Sequence, residues 1–259
     1  MNIWRLLDTG ALPARLNMGI DLALLEMHAR GVSPPTLRFY QWNPPAVSLG
    51  YFQRRHSIDL AACSQLGLDV VKRPTGGRAV LHENDLTYSV IAGVTEGIPV
   101  KLKDAYKLLG EGLVHGFRLL GLDTVRAADH LSAPETDICF MRYAEGDILY
   151  EGKKFVGSAL TLKGSSMLQH GSLVLESQRE RWTSLMILQG HSNEGLNQHL
   201  ESRTTSLGEI LGRRINPNEV KTALTAGLAM SLNAEFQAGD LTYDELALAQ
   251  EIASNQSVR

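Results

Sequence analysis

A glycine turn between two apolar segments constrains this chain more than any other feature of its sequence. Residues 72–82 have the sequence KRPTGGRAVLH, which predicts a strand over 68–72, a tight polar turn and a return strand over 79–81. Pro74 fixes its own φ angle and disfavours helical backbone at Arg73. Gly76 and Gly77 allow positive φ angles and carry no side chain that would block a ligand. The segment therefore predicts a small sheet whose turn exposes bare backbone.

The turn is a candidate site for binding an oxygen atom. Backbone amides beside Arg73 and Arg78 could hold a carbonyl, thioester or phosphate oxygen. A plain glycine hairpin with surface arginines accounts for the same residues, because glycine turns are common and short motifs match by chance. The turn alone leaves both interpretations open.

The composition is that of an ordinary globular protein with one sizeable core. The chain has 259 residues, of which 44% are hydrophobic and 20% charged, and its net charge is −3. This charge provides no basic field for binding nucleic acid. No apolar run is long enough to span a membrane, and the N-terminus lacks the pattern of a secretion signal. Two cysteines are too few for a disulfide framework, so we expect a cytoplasmic protein.

Hydrophobic periodicity predicts one mixed α/β domain over residues 1–259, in which residues 177–259 form a mainly helical C-terminal part. The predicted helices before that part cover residues 17–30, 57–66 and 103–120. The other predicted strands cover residues 3–7, 36–40, 46–49, 86–92, 147–150, 154–162 and 166–175. The last three strands are joined by short glycine turns, which predicts an antiparallel meander. Capping signals at Asn216-Pro217 and at Thr242 predict the starts of two late helices.

Cys139 is the candidate nucleophile. It lies in the irregular segment 129–146, and loops of that length in a compact domain are usually functional. A thiolate can accept an acyl group from a thioester and release it again. Lys154 opens a strand 15 positions later (154 − 139), and strand alternation lets only one of Lys153 and Lys154 face a site. An inert loop cysteine and a solvated lysine pair fit the same spacing. Cys63, on a predicted helix, is expected to be buried and inert.

Two histidines are candidates for orienting a substrate. His82 ends the return strand and His170 precedes Gly171, although a hydrogen-bonded structural histidine explains each position equally well. The remaining histidines show no metal-ligand spacing, so no metal site is predicted. The chain also lacks a phosphate-binding P-loop, a dinucleotide fingerprint and a G-x-S-x-G nucleophile motif.

Three sequence blocks occur in the order found in one known family. They are KRPTGGRAVLH at 72–82, GKKFVGSA at 152–159 and LQHGSL at 168–173. Together they resemble the family of lipoate–protein ligases, biotin–protein ligases and octanoyltransferases, over nearly the whole chain. The resemblance implies an α/β fold with a mixed sheet flanked by helices. That fold is related to the catalytic domain of class II tRNA synthetases, and C-terminal helices follow it.

Two positions distinguish the subfamilies. The lipoate ligases usually carry Gly-Gly-Gly-Ala-Val-Tyr-His and require no cysteine, whereas the ligase-like octanoyltransferases carry Gly-Gly-Arg-Ala-Val-Leu-His and a Cys-Phe pair. This chain has Arg78, Leu81 and Cys139-Phe140 and therefore resembles the transferases. It departs from them in the sequence MRYAE at 141–145 and at Leu160, where glutamine is frequent. Those departures concern acyl-chain selectivity and partner docking.

The resemblance implies transfer of octanoyl from acyl carrier protein, through a thioester on Cys139, to a lysine of a lipoyl domain. The acceptor is the glycine-cleavage H protein or a 2-oxoacid dehydrogenase E2. No cofactor is implied, and ATP with magnesium is needed only under the alternative of a lipoate–protein ligase. Transfer of lipoyl or octanoyl between carrier proteins is a further alternative.

The resemblance also implies roles for particular residues. Cys139 and Lys154 are the implied catalytic residues, and Lys154 or His82 is expected to help remove a proton from the acceptor lysine. The implied substrate-binding residues are Arg73, Gly76, Gly77, Arg78, His82, Ser158, Ala159, His170 and Gly171. Because carrier proteins are usually acidic, exposed cations near the mouth are expected to steer them. These cations are Arg54, Arg55, Arg142 and Lys153.

Overall fold

The computed structural model describes residues 2–53, 58–127, 138–144, 146–187 and 192–256, and it confirms the mixed α/β class. The strands are β1 Asn2–Leu12, β2 Thr36–Trp42, β3 Ala46–Leu49, β4 Asp69–Lys72, β5 Val80–His82, β6 Asp85–Gly93, β7 Val125–Arg126, β8 Ile148–Tyr150, β9 Lys153–Lys163, β10 Ser166–Val174 and β11 Ala234–Ala238. The helices are α1 Ala14–Ala29, α2 Leu60–Gln65, α3 Leu102–Leu119, α4 Arg179–Leu185, α5 Asn193–Arg203, α6 Leu207–Leu211, α7 Pro217–Leu232 and α8 Tyr243–Asn255.

A large mixed sheet carries most of the fold. Its strand order is β11-β1-β2-β6-β10-β9-β8-β7. β1 pairs in parallel with both β2 and β11, whereas β6, β10, β9 and β8 pair antiparallel in succession. The predicted meander is therefore confirmed, and it brings the second and third sequence blocks together on adjacent strands.

The strands that flank the glycine turn do not form the predicted hairpin. β3 lies between them in a small sheet of order β4-β3-β5, parallel to β4 and antiparallel to β5. The turn consequently passes over the end of β3, where Gly50 follows the strand. A Cβ atom on Gly50 would lie only 1.9 Å from the carbonyl oxygen of Gly77, so the crossing requires a glycine there. Sequence pattern could not reveal this order, because the pairing partners are distant in the chain.

The C-terminal part is mainly helical but also supplies an edge strand that the sequence analysis missed. β11 follows α7 after Asn233, whose left-handed backbone (φ 48°) ends the helix. The strand joins β1 in parallel, so this part of the chain completes the large sheet. Two observed elements also begin before their predicted bounds, since β1 spans Asn2–Leu12 and α1 starts at Ala14.

Helices cover both faces of the large sheet. α3 and α7 pack against one face in the largest apolar cluster, and α1 and α8 pack against the other. A separate apolar cluster lies under the small sheet and contains Cys63, which is buried as expected. None of the helices in the described ranges is long and apolar enough to cross a membrane.

Candidate active site

Cys139 lies directly beside the glycine turn. It begins a short 3₁₀ helix, Cys139–Met141, and its backbone N–H donates to the carbonyl of Ala79 over 2.9 Å. A Cβ atom built on Gly77 would lie 3.8 Å from the sulfur of Cys139. The first sequence block and the candidate nucleophile, separated by about sixty positions, therefore form one wall of a common site.

The ammonium of Lys154 faces this cysteine from β9. Its Nζ lies 3.9 Å from Cys139 Sγ and 3.1 Å from the carbonyl oxygens of both Cys139 and Arg142. The Lys154 side chain is 1% exposed, whereas Lys153 is only partly buried. Lys154 is therefore the inward-facing member of the pair, which is the lysine that the family resemblance implies.

Asp147 is a member of the site that the sequence analysis missed. Its Oδ2 lies 2.8 Å from Lys154 Nζ and accepts a hydrogen bond from the backbone N–H of Ala144. Burial by itself would lower the pKa of Lys154, but the charges of Asp147 and Cys139, together with the hydrogen bond to Asp147, outweigh burial and hold that pKa above its ordinary value. Lys154 therefore remains a cation at neutral pH. The available sequence signal was an acid immediately before a strand that pairs with the lysine strand.

Arg73 braces the glycine turn from inside. Its buried guanidinium donates to the carbonyl oxygens of Ser48, Gly76 and Arg78 at 2.7 to 2.9 Å. These N–H groups of the guanidinium therefore donate to backbone carbonyls. The sequence analysis expected Arg73 to donate to a ligand instead. Its observed effect is to hold the turn of Gly76 and Gly77 in place beside the cysteine.

His82 is held at both ring nitrogens. Its Nε2 lies 2.8 Å from Ser48 Oγ, its Nδ1 lies 2.8 Å from Asp85 Oδ2, and its ring stacks on Trp42 at 3.9 Å. Burial lowers the pKa of His82 below its ordinary value despite the nearby carboxylate. A neutral histidine with both nitrogens engaged suits a fixed wall of the site better than a proton acceptor.

His170, on β10 of the large sheet, is also held at both ring nitrogens. Its Nε2 lies 2.6 Å from Thr75 Oγ1 and its Nδ1 lies 3.1 Å from Asp21 Oδ2. Thr75 belongs to the glycine turn, so this histidine ties the turn to the large sheet. It lines the inner pocket together with Cys139, and both of its ring nitrogens are engaged.

Two pockets meet at Cys139. A narrow inner pocket reaches the apolar side chains of Met18 and Trp42, and a roomier outer pocket opens to solvent. Cys139, Ser158 and Ala159 line both of them. A group attached to the sulfur could thus extend inward while a second molecule approaches from outside.

All predicted site residues line these pockets. Besides the three that line both pockets, four line the inner pocket, namely Arg73, His82, His170 and Gly171. Another four line the outer pocket, namely Gly76, Gly77, Arg78 and Lys154. Of the predicted steering cations, Arg142 lines the outer pocket, Lys153 lies partly exposed at the start of β9, and Arg54 and Arg55 lie outside the described residues.

Within the described ranges, no cluster of three or more His, Cys, Asp or Glu side chains could hold a metal ion.

Comparison with known proteins places the chain in a family. Residues 13–229 match the family described as the lipoyl protein ligase A/B catalytic domain. The chain belongs to the lipoyl protein ligase A/B family. It is 38% identical over 264 residues to octanoyltransferase LipM of Anoxybacillus flavithermus, covering 98% of this chain and 95% of the relative. It is 33% identical over 263 residues to octanoyltransferase LipM of Bacillus subtilis, with the same coverage of 98% and 95%.

Solved structures confirm the lipoyl protein ligase fold. A bipartite lipoate protein ligase from Thermoplasma acidophilum superposes with a TM-score of 0.82 at 22% identity, covering 98% of this chain and 93% of that one. A lipoate-protein ligase A bound with ATP superposes with a TM-score of 0.79 at 23% identity, covering 98% and 94%. The fold expected from the three sequence blocks is therefore confirmed. Within this fold, the described chain brings a cysteine and a buried Lys–Asp pair to the centre of the site.

Proposed function

We propose that this chain is an octanoyl-[acyl carrier protein]:protein N-octanoyltransferase acting in lipoate biosynthesis. In this reaction octanoyl passes through a thioester on Cys139 to a lysine of a lipoyl domain. The observation that carries the proposal is the sulfur of Cys139, 3.9 Å from the Lys154 ammonium, at the junction of an inner and an outer pocket. Relatives named octanoyltransferase LipM, at 33% to 39% identity over nearly the full length, support this acyl group and reaction class.

The first step transfers the acyl group to the enzyme. The sulfur of Cys139 attacks the donor carbonyl carbon, a new C–S bond forms, and the carbonyl electron pair moves onto oxygen. When this intermediate collapses, the bond to the carrier sulfur breaks and the carrier thiolate takes up the proton that Cys139 has given. The Lys154 ammonium and the amides of the turn at Gly76 and Gly77 supply positive charge for the oxyanion.

The pockets suit the two parts of the donor. The octanoyl tail is assigned to the inner pocket because its lining includes the apolar side chains of Met18, Trp42 and Val80. Each CH₂ group buried there contributes about 0.8 kcal/mol. The carrier arm occupies the outer pocket and leaves with the thiol. The cysteine at the junction then holds only the acyl chain, and the outer pocket is open for the acceptor.

The second step transfers octanoyl to the acceptor lysine. The neutral amine attacks the thioester carbon, an amide bond forms, and the Cys139 sulfur departs and takes up the proton that the amine loses. Lys154, held as a cation by Asp147, stabilises the oxyanion and the departing thiolate in this step. Since both nitrogens of His82 are engaged, the proposal assigns His82 to the pocket wall and revises the expectation that Lys154 or His82 removes the proton.

The proposed partners are acidic carrier domains. Octanoyl-acyl carrier protein is the donor, and the lipoyl domain of glycine-cleavage H protein or of a 2-oxoacid dehydrogenase E2 is the acceptor, in the cytoplasm. Arg78 and Arg142 line the outer pocket and provide positive charge where these domains approach. Complementary charge at such a mouth raises the association rate in a salt-dependent way.

The test compares acyl donors with one acceptor, an unmodified lipoyl domain. We expect octanoylation from octanoyl-acyl carrier protein without ATP, and none from free octanoate or lipoate supplied with ATP and magnesium. A reaction that runs only with ATP would instead identify a lipoate–protein ligase. A third arm uses octanoyl-H protein as donor, and a reaction confined to that arm would identify transfer between carrier domains.

A further inference from the structure

Three residues on adjacent strands form a line that ends at the junction of the pockets. Gly171 on β10 is paired with Tyr88 on β6 and with Ser158 on β9. The phenol of Tyr88 reaches across the glycine, and its oxygen lies 2.8 Å from Ser158 Oγ. Ser158 lines both pockets together with Cys139.

Gly171 makes this reach possible. A Cβ atom at that position would lie 2.5 Å from Cε1 of Tyr88 and 2.9 Å from Ser158 Oγ. Real Cβ atoms do not approach other atoms so closely, so a larger residue would push the tyrosine away from the serine. The glycine of the third sequence block therefore leaves space for a hydrogen bond as well as for a ligand.

Gln169 sets the direction of the hydrogen bonds. It is fully buried two positions before Gly171, and its Nε2 lies 3.0 Å from the Tyr88 oxygen. The NH₂ group of Gln169 donates to the phenol oxygen, which leaves the O–H of Tyr88 available, and we assign that O–H as the donor to Ser158 Oγ. Burial raises the pKa of Tyr88 to about 12, so the phenol keeps its proton throughout the neutral range.

The serine is left with its own proton to donate. We propose that the Ser158 hydroxyl donates to the acyl carbonyl oxygen at Cys139, with Tyr88 and Gln169 as positioning residues that aim it. This inference rests on the proposed function, in which Cys139 carries the acyl group. As the carbonyl becomes an oxyanion the hydrogen bond strengthens, and the proton stays on the serine throughout.

The first test measures single-turnover formation of the acyl-enzyme from octanoyl-acyl carrier protein by intact mass. We expect Ser158→Ala to lower the rate constant by about 10²-fold, the low end for removing one oxyanion donor. Tyr88→Phe keeps the serine but removes the hydrogen bond that orients its hydroxyl. It should lower the rate constant by about 10-fold, which corresponds to a loss of about 1.4 kcal/mol in transition-state stabilisation. Both should leave the half-saturating donor concentration nearly unchanged, because the interaction forms in the transition state.

Two variants separate this role from a structural one. Ser158→Thr retains the hydroxyl and should recover most of the lost rate. Tyr150→Phe removes a phenol hydroxyl on β8, outside the two pockets, and should acylate like the wild type. Thermal unfolding of each variant identifies any loss that arises from folding.

The second test reverses the direction of the hydrogen bonds. In Gln169→Glu an ionised carboxylate only accepts, so Tyr88 would donate to it and Ser158 would donate to Tyr88. The acylation rate of this variant, divided by that of the wild type, should fall as pH rises through the pKa of the introduced carboxyl. A ratio that does not change with pH would contradict the assigned direction.

The outcomes distinguish this inference from the proposed function. If the wild type forms no adduct on Cys139, both the proposed function and this inference are overturned. If the adduct forms and both Ser158→Ala and Tyr88→Phe acylate at the wild-type rate, only the assignment of Ser158 is overturned. Equal losses in Ser158→Ala and Ser158→Thr would also overturn it, since the retained hydroxyl would then have no effect.

Discussion

Lys154 and Asp147 form a buried ion pair, 2.8 Å apart and each 1% exposed, beside the candidate nucleophile. Opposite charges in the interior stabilise each other, whereas removing one partner leaves an uncompensated charge. The pair therefore fixes a permanent cation at the place where the proposed reaction develops negative charge. Stability and activity depend on this pair in different ways, and substitutions can separate the two effects.

Substitutions at the adjacent residues Lys153 and Lys154 test whether the Lys154 cation is needed for octanoyl transfer. Lys154→Met should lower the turnover of octanoyl transfer by at least about 10²-fold, because the cation next to the sulfur is lost. Lys153→Met is the control, and it should alter mainly the salt-dependent affinity for the carrier protein. Steady-state kinetics at two salt concentrations check both. A larger turnover loss in Lys153→Met than in Lys154→Met would contradict the placement.

Substitution of Asp147 tests how much the ion pair contributes to the free energy of unfolding. Asp147→Asn leaves the Lys154 ammonium buried without its carboxylate, so we expect the free energy of unfolding to fall by roughly 3–5 kcal/mol. The double variant Asp147→Asn with Lys154→Met removes both charges and should recover part of that stability while remaining inactive. Urea unfolding and the transfer assay measure the two properties. An active double variant would show that the pair serves the fold alone.

Sequence reasoning identified some of these side chains and missed others for physical reasons. Lys154 lies in a recognisable block and Cys139 in a Cys-Phe pair; strand alternation showed that only one of Lys153 and Lys154 can face the site, and the family resemblance selected Lys154. Asp147 went unnoticed because its contact with the lysine depends on an irregular register between β8 and β9. The bracing role of Arg73 also depends on a carbonyl of Ser48, on a strand distant in the chain.

At the level of secondary structure, close backbone approaches at glycines hold the site together. Gly50 at the end of β3 lets the glycine turn pass over that strand, and Gly171 on β10 lets Tyr88 reach Ser158. Gly116 of α3 takes part in another close approach. A Cβ on Gly227 of α7 would lie 2.2 Å from the backbone nitrogen of Gly116, so the two helices meet backbone to backbone. The sequence shows where the glycines are, but it does not show which atoms lie close to them in the fold.

A methyl group at the crossing should displace the turn from the cysteine. In Gly50→Ala the new Cβ would collide with the Gly77 carbonyl, so the turn must shift relative to Cys139. A displacement of about 1 Å at a reacting centre costs up to about 10²-fold in rate, and we expect a turnover loss of that order. Gly195→Ala, in the exposed helix α5, is the control and should retain turnover. Wild-type turnover in Gly50→Ala would show that the turn does not position the reaction.

At the scale of the whole molecule, the fold class could be predicted from the sequence pattern but the strand topology could not. Periodicity predicts most helices and strands and the antiparallel meander, because these signals are local. The insertion of β3 between β4 and β5 and the parallel pairing of β11 with β1 join distant segments, and no local pattern marks them. The family resemblance, which covers nearly the whole chain, indicated the fold that periodicity could not.

The buried histidines make the stability of the fold depend on pH. Burial lowers the pKa of both His82 and His28 from the ordinary histidine value of 6.5. Below that pH the unfolded chain takes up protons that the folded chain does not, so stability is complete above pH 6.5 and is lost as pH falls through the folded pKa values. We expect the free energy of unfolding in urea to decrease between about pH 7 and about pH 5. His82→Gln should show a shallower decrease, and an identical slope would contradict the assignment to His82.

The central claim is that Cys139, and not Cys63, carries the acyl group. The most direct measurement is intact mass followed by peptide mapping after incubation with octanoyl-acyl carrier protein in the absence of ATP. The account predicts one octanoyl group on Cys139 in the wild type and in Cys63→Ala, and no adduct in Cys139→Ala, which should also fail to octanoylate a lipoyl domain. An adduct confined to Cys63, or full transfer activity in Cys139→Ala, would contradict it.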